Sequence, residues 1–138
     1  MRIRNLFLIG ALIATGATMA SAKEGATDSR QARAEAKLAK ALDGRVAGKP
    51  VSCINLREIR SSQIYDRTAI LYEVGSKLYL NRPEGASTLD SDDILVTKTY
   101  GTQLCDIDTV RLVDRTTRIP AGFVSLNEFV PYTKVASK

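Results

Sequence analysis

The sequence predicts an α+β fold that is mainly β: a small antiparallel sheet or partly open barrel with one disulfide and an N-terminal amphipathic helix. Three observations predict it. From Pro50 onward short β-type runs alternate with turn residues, the stretch before Pro50 is alanine-rich with helical spacing, and the 138 residues hold two cysteines.

Composition narrows the function by exclusion. The chain carries 20 Lys+Arg against 15 Asp+Glu, 44% apolar residues, and neither histidine nor tryptophan. Without histidine there is no Ser-His-Asp or Cys-His catalytic set, no HExxH metal site and no Cys/His zinc finger. No G-x-G-x-x-G, Walker A or G-x-S-x-G sequence occurs either.

The N-terminus has the layout of an export signal. Arg2 and Arg4 precede an apolar run from Leu6 to Ala20, and Ala20-Ser21-Ala22 offers small residues where a signal peptidase reads. The run is 15 residues, below the roughly 20 that a spanning helix needs, so cleavage after Ala22 is expected and no stable membrane span after it. Lipid attachment would need a cysteine at that point, and the first is Cys53. The expected division is a cleaved signal over 1–22, a helical basic arm with linker over 23–49, and a β-rich domain over 50–138. From Pro50 eleven basic residues face eleven acidic ones, so the high pI says little about the main domain's partners. Nucleic acid is not expected among them.

Residues 28–43 have helix chemistry. Asp28 with Gln31 suits an N-terminal cap, alanines and leucines fill the body, and Gly44 supplies a left-handed stop. At 100° per residue Ala34, Leu38, Ala41 and Leu42 share one side, and Arg30, Arg33, Lys37 and Lys40 form a basic stripe on another. That stripe is a candidate surface for an anion or an envelope partner. The alternative is a solvated helix face, favoured by the lack of bulky Trp, Phe or Leu anchors. Residues 45–50 read as a linker because Gly48 and Pro50 break both helix and strand.

Strands are expected near 51–56, 63–66, 68–74, 77–81, 94–99 and 109–114. The clearest signal is Val74-Gly75-Ser76-Lys77, where Gly75 suits the first central position of a type II′ turn. If Val74 pairs with Lys77, then Leu71 faces Leu80, Glu73 faces Leu78, and Tyr72 faces Tyr79 on the other side. The tyrosines could form an aromatic stacking platform; the alternative is that they cover a second core or lie under the docked helix. Near the end, Ser125 with Glu128 has the form of a capping box, which predicts a short helical turn over 126–130 ended by Pro131.

Cys53 and Cys105 in an exported chain are expected as a structural disulfide, since a redox pair is usually close in sequence. Asp90, Asp92 and Asp93 form one acidic cluster, and Asp106 with Asp108 a second. Neither has the spacing of an EF-hand, so solvated loops are the simpler account. If the clusters converged, they could bind a cation or act as acid and base. Arg57, Arg60 and Arg67, with Arg111, Arg115 and Arg118, are a weaker anion-binding set.

At Lys49-Pro50-Val51-Ser52-Cys53-Ile54, Thr68–Val74, Leu78–Arg82 and Leu104–Asp108 the chain resembles small exported proteins of unknown function from sphingomonad-type alphaproteobacteria. The resemblance spans about residues 40–135 and implies a Gram-negative envelope location. It brings no catalytic residues with it. The expectation is therefore a periplasmic, monomeric binding or envelope-interaction module without cofactor, resident metal or catalysis. Alternatives are an inhibitor of a secreted or host enzyme, such as a lysozyme inhibitor, working through the loop from Arg82 to Asp93, and a carboxylate-based hydrolase or cation-binding protein.

Overall fold

The computed structural model describes residues 22–136. The expected signal segment lies outside the described residues, apart from Ala22. Helix α1 runs Ala22–Ala41, with Lys40 in its last turn and Gly44 beyond it at φ +68°. Asp28 therefore sits inside the helix and not at its start. Upstream Ala22, Lys23, Glu24 and Ala26 are themselves good helix formers, and they extend the segment past the cap that Asp28 offered.

Ten strands follow: β1 (Arg45–Ala47), β2 (Cys53–Asn55), β3 (Ile59–Tyr65), β4 (Ala69–Val74), β5 (Lys77–Asn81), β6 (Asp93–Thr97), β7 (Gln103–Cys105), β8 (Thr109–Asp114), β9 (Pro120–Ser125) and β10 (Phe129–Lys134). They form a five-stranded sheet in the order β1-β10-β5-β4-β3, a two-stranded ribbon β2-β7, and a three-stranded sheet β6-β8-β9. All pairings are antiparallel. The five-stranded sheet ends in β1 on one side and β3 on the other, so it is an open antiparallel sheet and no closed barrel forms.

The β4–β5 hairpin has the expected register, from Val74↔Lys77 through Tyr72↔Tyr79 to Leu71↔Leu80. Gly75 is left-handed at φ +60° and Ser76 is not, as a type II′ turn requires. Alternation along β4 then feeds two cores. Ile70, Tyr72 and Val74 join Ile64, Phe129, Val110, Leu112 and Val124 between the five-stranded and three-stranded sheets, with Ile54 and Leu104 of the ribbon. Ala69 and Leu71 join Leu80, Tyr65 and the helical Ala34 and Leu38 on the opposite face. The molecule is thus layered, with helix on one face of the large sheet and the smaller sheets on the other.

The first half of the segment expected as linker is a strand, and the segment expected as a helical turn is extended, its last two residues opening β10. β1 pairs with the outer end of β10, Arg45↔Lys134 to Ala47↔Tyr132, and β10 pairs with β5. Period two wins over the capping signal because Phe129 must enter one core while Val130 and Tyr132 pack against the other. The Ser125 amide is moreover engaged by the Glu84 carbonyl, in a bridge between the two residues. Pro131 is tolerated inside a five-stranded sheet because its carbonyl, and with it its nitrogen, faces Gly48 and not β5; Gly48 N–H donates to that carbonyl at 2.7 Å. A Cβ on Gly48 would lie 3.1 Å from Pro131 Cγ, so the approach favours glycine.

Cys53 and Cys105 are directly opposed in the β2–β7 ribbon and joined by a disulfide, with Cα atoms 4.0 Å apart. The flanking pairs carry the ladder bonds, Asp106 N–H to Ser52 O and Leu56 N–H to Thr102 O, so the cysteines occupy the closer, non-hydrogen-bonded type of position. The disulfide is the kind of bond an oxidising compartment sustains.

Two outcomes follow from this packing. Leu38→Ala removes a fully buried side chain from the helix–sheet core and is expected to cost about 2–4 kcal/mol in denaturant unfolding. Replacing both cysteines with serine opens a link between residues 52 apart and is expected to lower stability by roughly 4 kcal/mol under non-reducing conditions, with the difference vanishing in reductant.

Candidate functional site

Part of the charge singled out in the sequence meets at one place, the loop from Leu89 to Asp93: Arg30, Arg33 and Lys37 of the stripe and Asp90 and Asp92 of the first acidic cluster. Gly85, left-handed at φ +78°, opens a single 3-10 turn over Ala86–Thr88, and Leu89 then drops into the inter-sheet core. The Leu89 carbonyl accepts from Arg67 N–H, and the Ser91 N–H donates to the Asp66 carboxylate at 2.6 Å. Arg67 itself is left-handed at φ 55° in the β3–β4 turn. Asp90 accepts from Asp92 N–H, and Asp92 O accepts from Arg115 N–H. The loop is fixed at both ends by backbone bonds to two different turns.

Across from it runs the basic stripe. Arg30, Arg33 and Lys37 of α1 and Asp66, Asp90 and Asp92 line one groove of about 360 Å³. No ion pair within 4 Å joins the two rows; among the described residues that distance is met by Arg82 with Glu35. That pair is bidentate, at 2.7 and 3.0 Å, and ties α1 to the end of β5. Arg82 draws the Glu35 carboxyl below its ordinary range. Lys40 does not line the groove.

Asp93 is set apart from its neighbours. It opens β6 directly opposite Asp114, it is 6% exposed, and its Oδ2 is buried without a hydrogen-bond partner. Burial, then the negative charges of Asp90 and Asp114 and lastly that of Asp92, push its carboxyl above the ordinary range. Asp114 behaves in the opposite way: its Oδ1 accepts from Thr117 N–H, Thr117 Oγ1 and Thr116 N–H, which hold its carboxyl low. Asp93 also lines a cavity of about 280 Å³ at the seam between the edge strands β3 and β6, with Ser62, Gln63, Ser91 and Arg115.

The second acidic cluster does not converge on the first. Asp108 caps its own turn, its Oδ2 accepting from Cys105 N–H at 2.7 Å, and Asp106 N–H donates to Ser52 O. The length of β8 separates Asp108 from Asp114, a span of about 20 Å at 3.3 Å per residue. Among the described residues no group of three Asp, Glu, Cys or His is arranged to hold a metal.

Tyr72 and Tyr79 face the inter-sheet core and not a ligand. Tyr72 is 3% exposed and meets Phe129 edge-on at 5.8 Å, with its hydroxyl raised in pKa by burial, and Tyr79 packs against the same cluster. Tyr72 does not offer the open ring face that stacking needs, and Tyr79 is partly buried. Asp66, Asp114, Ser62 and Gln63 were not singled out from sequence, although Asp66-Arg67-Thr68 and Asp114-Arg115-Thr116-Thr117 carry recognisable turn chemistry. No family model matches the chain, and neither a curated protein nor a solved structure matches it.

Because native Asp93 keeps its proton to higher pH than an exposed aspartate, its ionisation weakens the fold as pH rises from about 3.8 through the native value. Asp93→Asn is thus expected to be more stable than the native chain at pH 7, by on the order of 1 kcal/mol, or about 4 °C in Tm. The difference should shrink as pH is lowered towards 4, and thermal unfolding of both proteins at the two pH values checks it.

Proposed function

We propose that the protein is an exported, periplasmic, monomeric recognition module that acts by binding and not by catalysis, and that it engages an envelope protein or surface at the groove between α1 and the 90–92 loop. The observation that carries this reading is the groove itself. Three cations and three carboxylates face the same space without pairing, so charges of both signs are available to a partner. Export rests on the signal-like N-terminus, on the disulfide, and on the resemblance to envelope proteins of sphingomonad-type alphaproteobacteria. Among the described residues no helix is long and apolar enough to cross a membrane.

The inhibitor reading keeps one specific support. Between Arg82 and Asp93 the chain is exposed at Glu84, Gly85, Ser87 and Thr88 but pinned by buried Pro83 and Leu89, by the Glu84↔Ser125 bridge and by Asn127 Nδ2 on Arg82 O. A rigid exposed loop of that kind is what insertion into an enzyme cleft requires.

The test is capture from periplasmic extract with the mature protein, with R30E/R33E/K37E, and with the loop variant E84A/S87A/T88A. A partner held by the native chain, released by about 0.5 M salt and lost with the helix variant alone supports the groove. Loss with the loop variant alone favours the inhibitor reading, and a partner set unchanged in both variants overturns both surfaces.

A further inference from the structure

We propose that the cavity at the β3–β6 seam is a binding site for a small zwitterion of amino-acid type, its ammonium received by Asp93 and its carboxylate by Arg115. The cavity shares Ser91 with the helix groove and no other lining residue, so this site does not rest on the partner-binding reading.

The starting observation is an uncompensated group. Asp93 is more than nine-tenths buried, and its Oδ2 has neither a donor nor access to solvent. A carboxylate in that condition is costly, and Asp90, Asp92 and Asp114 add to the cost by repulsion. A cation in the cavity that Asp93 lines offsets the charge that this repulsion penalises. A metal ion does not suit the donors, because no three acidic, cysteine or histidine side chains among the described residues are arranged to hold one. An ammonium group does, since it needs directional acceptors and not a closed shell of oxygens. Ser62 and Ser91, whose side chains carry hydroxyl acceptors, line the same space.

The second charge comes from the rim. Arg115 lines the same cavity, and among the described residues its guanidinium has no carboxylate within 4 Å. Its backbone N–H is bonded to Asp92 O, which fixes the start of the side chain at the mouth. A planar fork of donors at one end and a buried carboxylate at the other match a carboxylate and an ammonium held on one small molecule. About 280 Å³ accommodates such a molecule and not a folded partner. The walls belong to two edge strands, each hydrogen-bonded on one side only, so main-chain groups of β3 and β6 are open to the ligand as well.

The experiment is amide-resolved NMR titration of the mature protein with L-alanine, D-alanine, ethylamine and propionate. Either alanine is expected to shift the amides of residues 62–64 and 93–95 saturably below about 50 mM, a range that covers dissociation constants near 1 mM. Ethylamine should bind the same residues at least about tenfold more weakly, and propionate should not bind them. Asp93→Asn should abolish the alanine response. Arg115→Gln, a change at an exposed side chain, should weaken alanine about tenfold while leaving ethylamine unchanged. No saturable shift at these amides, a response that persists in Asp93→Asn, or propionate binding as well as alanine would each overturn the proposal.

Discussion

Everything else in the molecule depends on one strand buried from both sides. In β4 five of six residues are buried, Ala69 and Leu71 towards the helix and Ile70, Tyr72 and Val74 towards the smaller sheets. A strand in that position cannot slip by one residue, because the slip would exchange the contents of two differently shaped cores. The tight Gly75 turn transmits the register to β5, and β5 transmits it to β10 and then β1. Asn81 shows how little tolerance the arrangement leaves. It is fully buried at the end of β5, its side-chain amide donates to Asn127 O, and its Oδ1 accepts from Asn127 N–H at 3.3 Å. The entry to β10 is therefore set by a polar clamp at the edge of the apolar core.

The sequence was most legible where a local rule and the global fold agreed. The β4–β5 register followed from one glycine and strict alternation, and the cysteine pair followed from export and spacing. It was least legible where both faces of a strand are buried or where the strand lies at an edge. Phe129-Val130-Pro131-Tyr132 feeds two cores and has no polar face, so its alternation is invisible and the nearby capping box speaks louder. The first half of β3, Arg60 to Gln63, is exposed at the sheet edge and carries no apolar signal at all. Three-residue β1 is too short for any pattern, and only its pairing with β10 defines it.

The charged residues show the same division. Asp90, Asp92 and Asp93 stood out as a cluster, but sequence could not separate them. Structure does: Asp90 and Asp92 face the helix groove while Asp93 turns into the seam beside Asp114. The difference comes from β6 beginning at Asp93, because strand alternation puts that side chain on the same inward face as Leu95. The pairing of Asp93 with Asp114 required knowledge of the β6–β8 register, which no local signal in either segment specifies.

The basic stripe of α1 acquires its meaning from the same loop. The apolar face of the helix is thin, with Ala34 and Leu38 as its buried contacts, and a helix of that kind is marginal without a tertiary partner. Its docking brings Arg30, Arg33 and Lys37 opposite Asp66, Asp90 and Asp92 across one groove, at separations beyond the 4 Å of an ion pair. The stripe is therefore electrostatically answered within the molecule. A uniformly anionic surface approaching it would meet the repulsion of three carboxylates as well as the attraction of three cations. On the proposed reading, a partner presenting both signs would meet neither conflict, so the docked helix would favour mixed charge where a free one would favour anions.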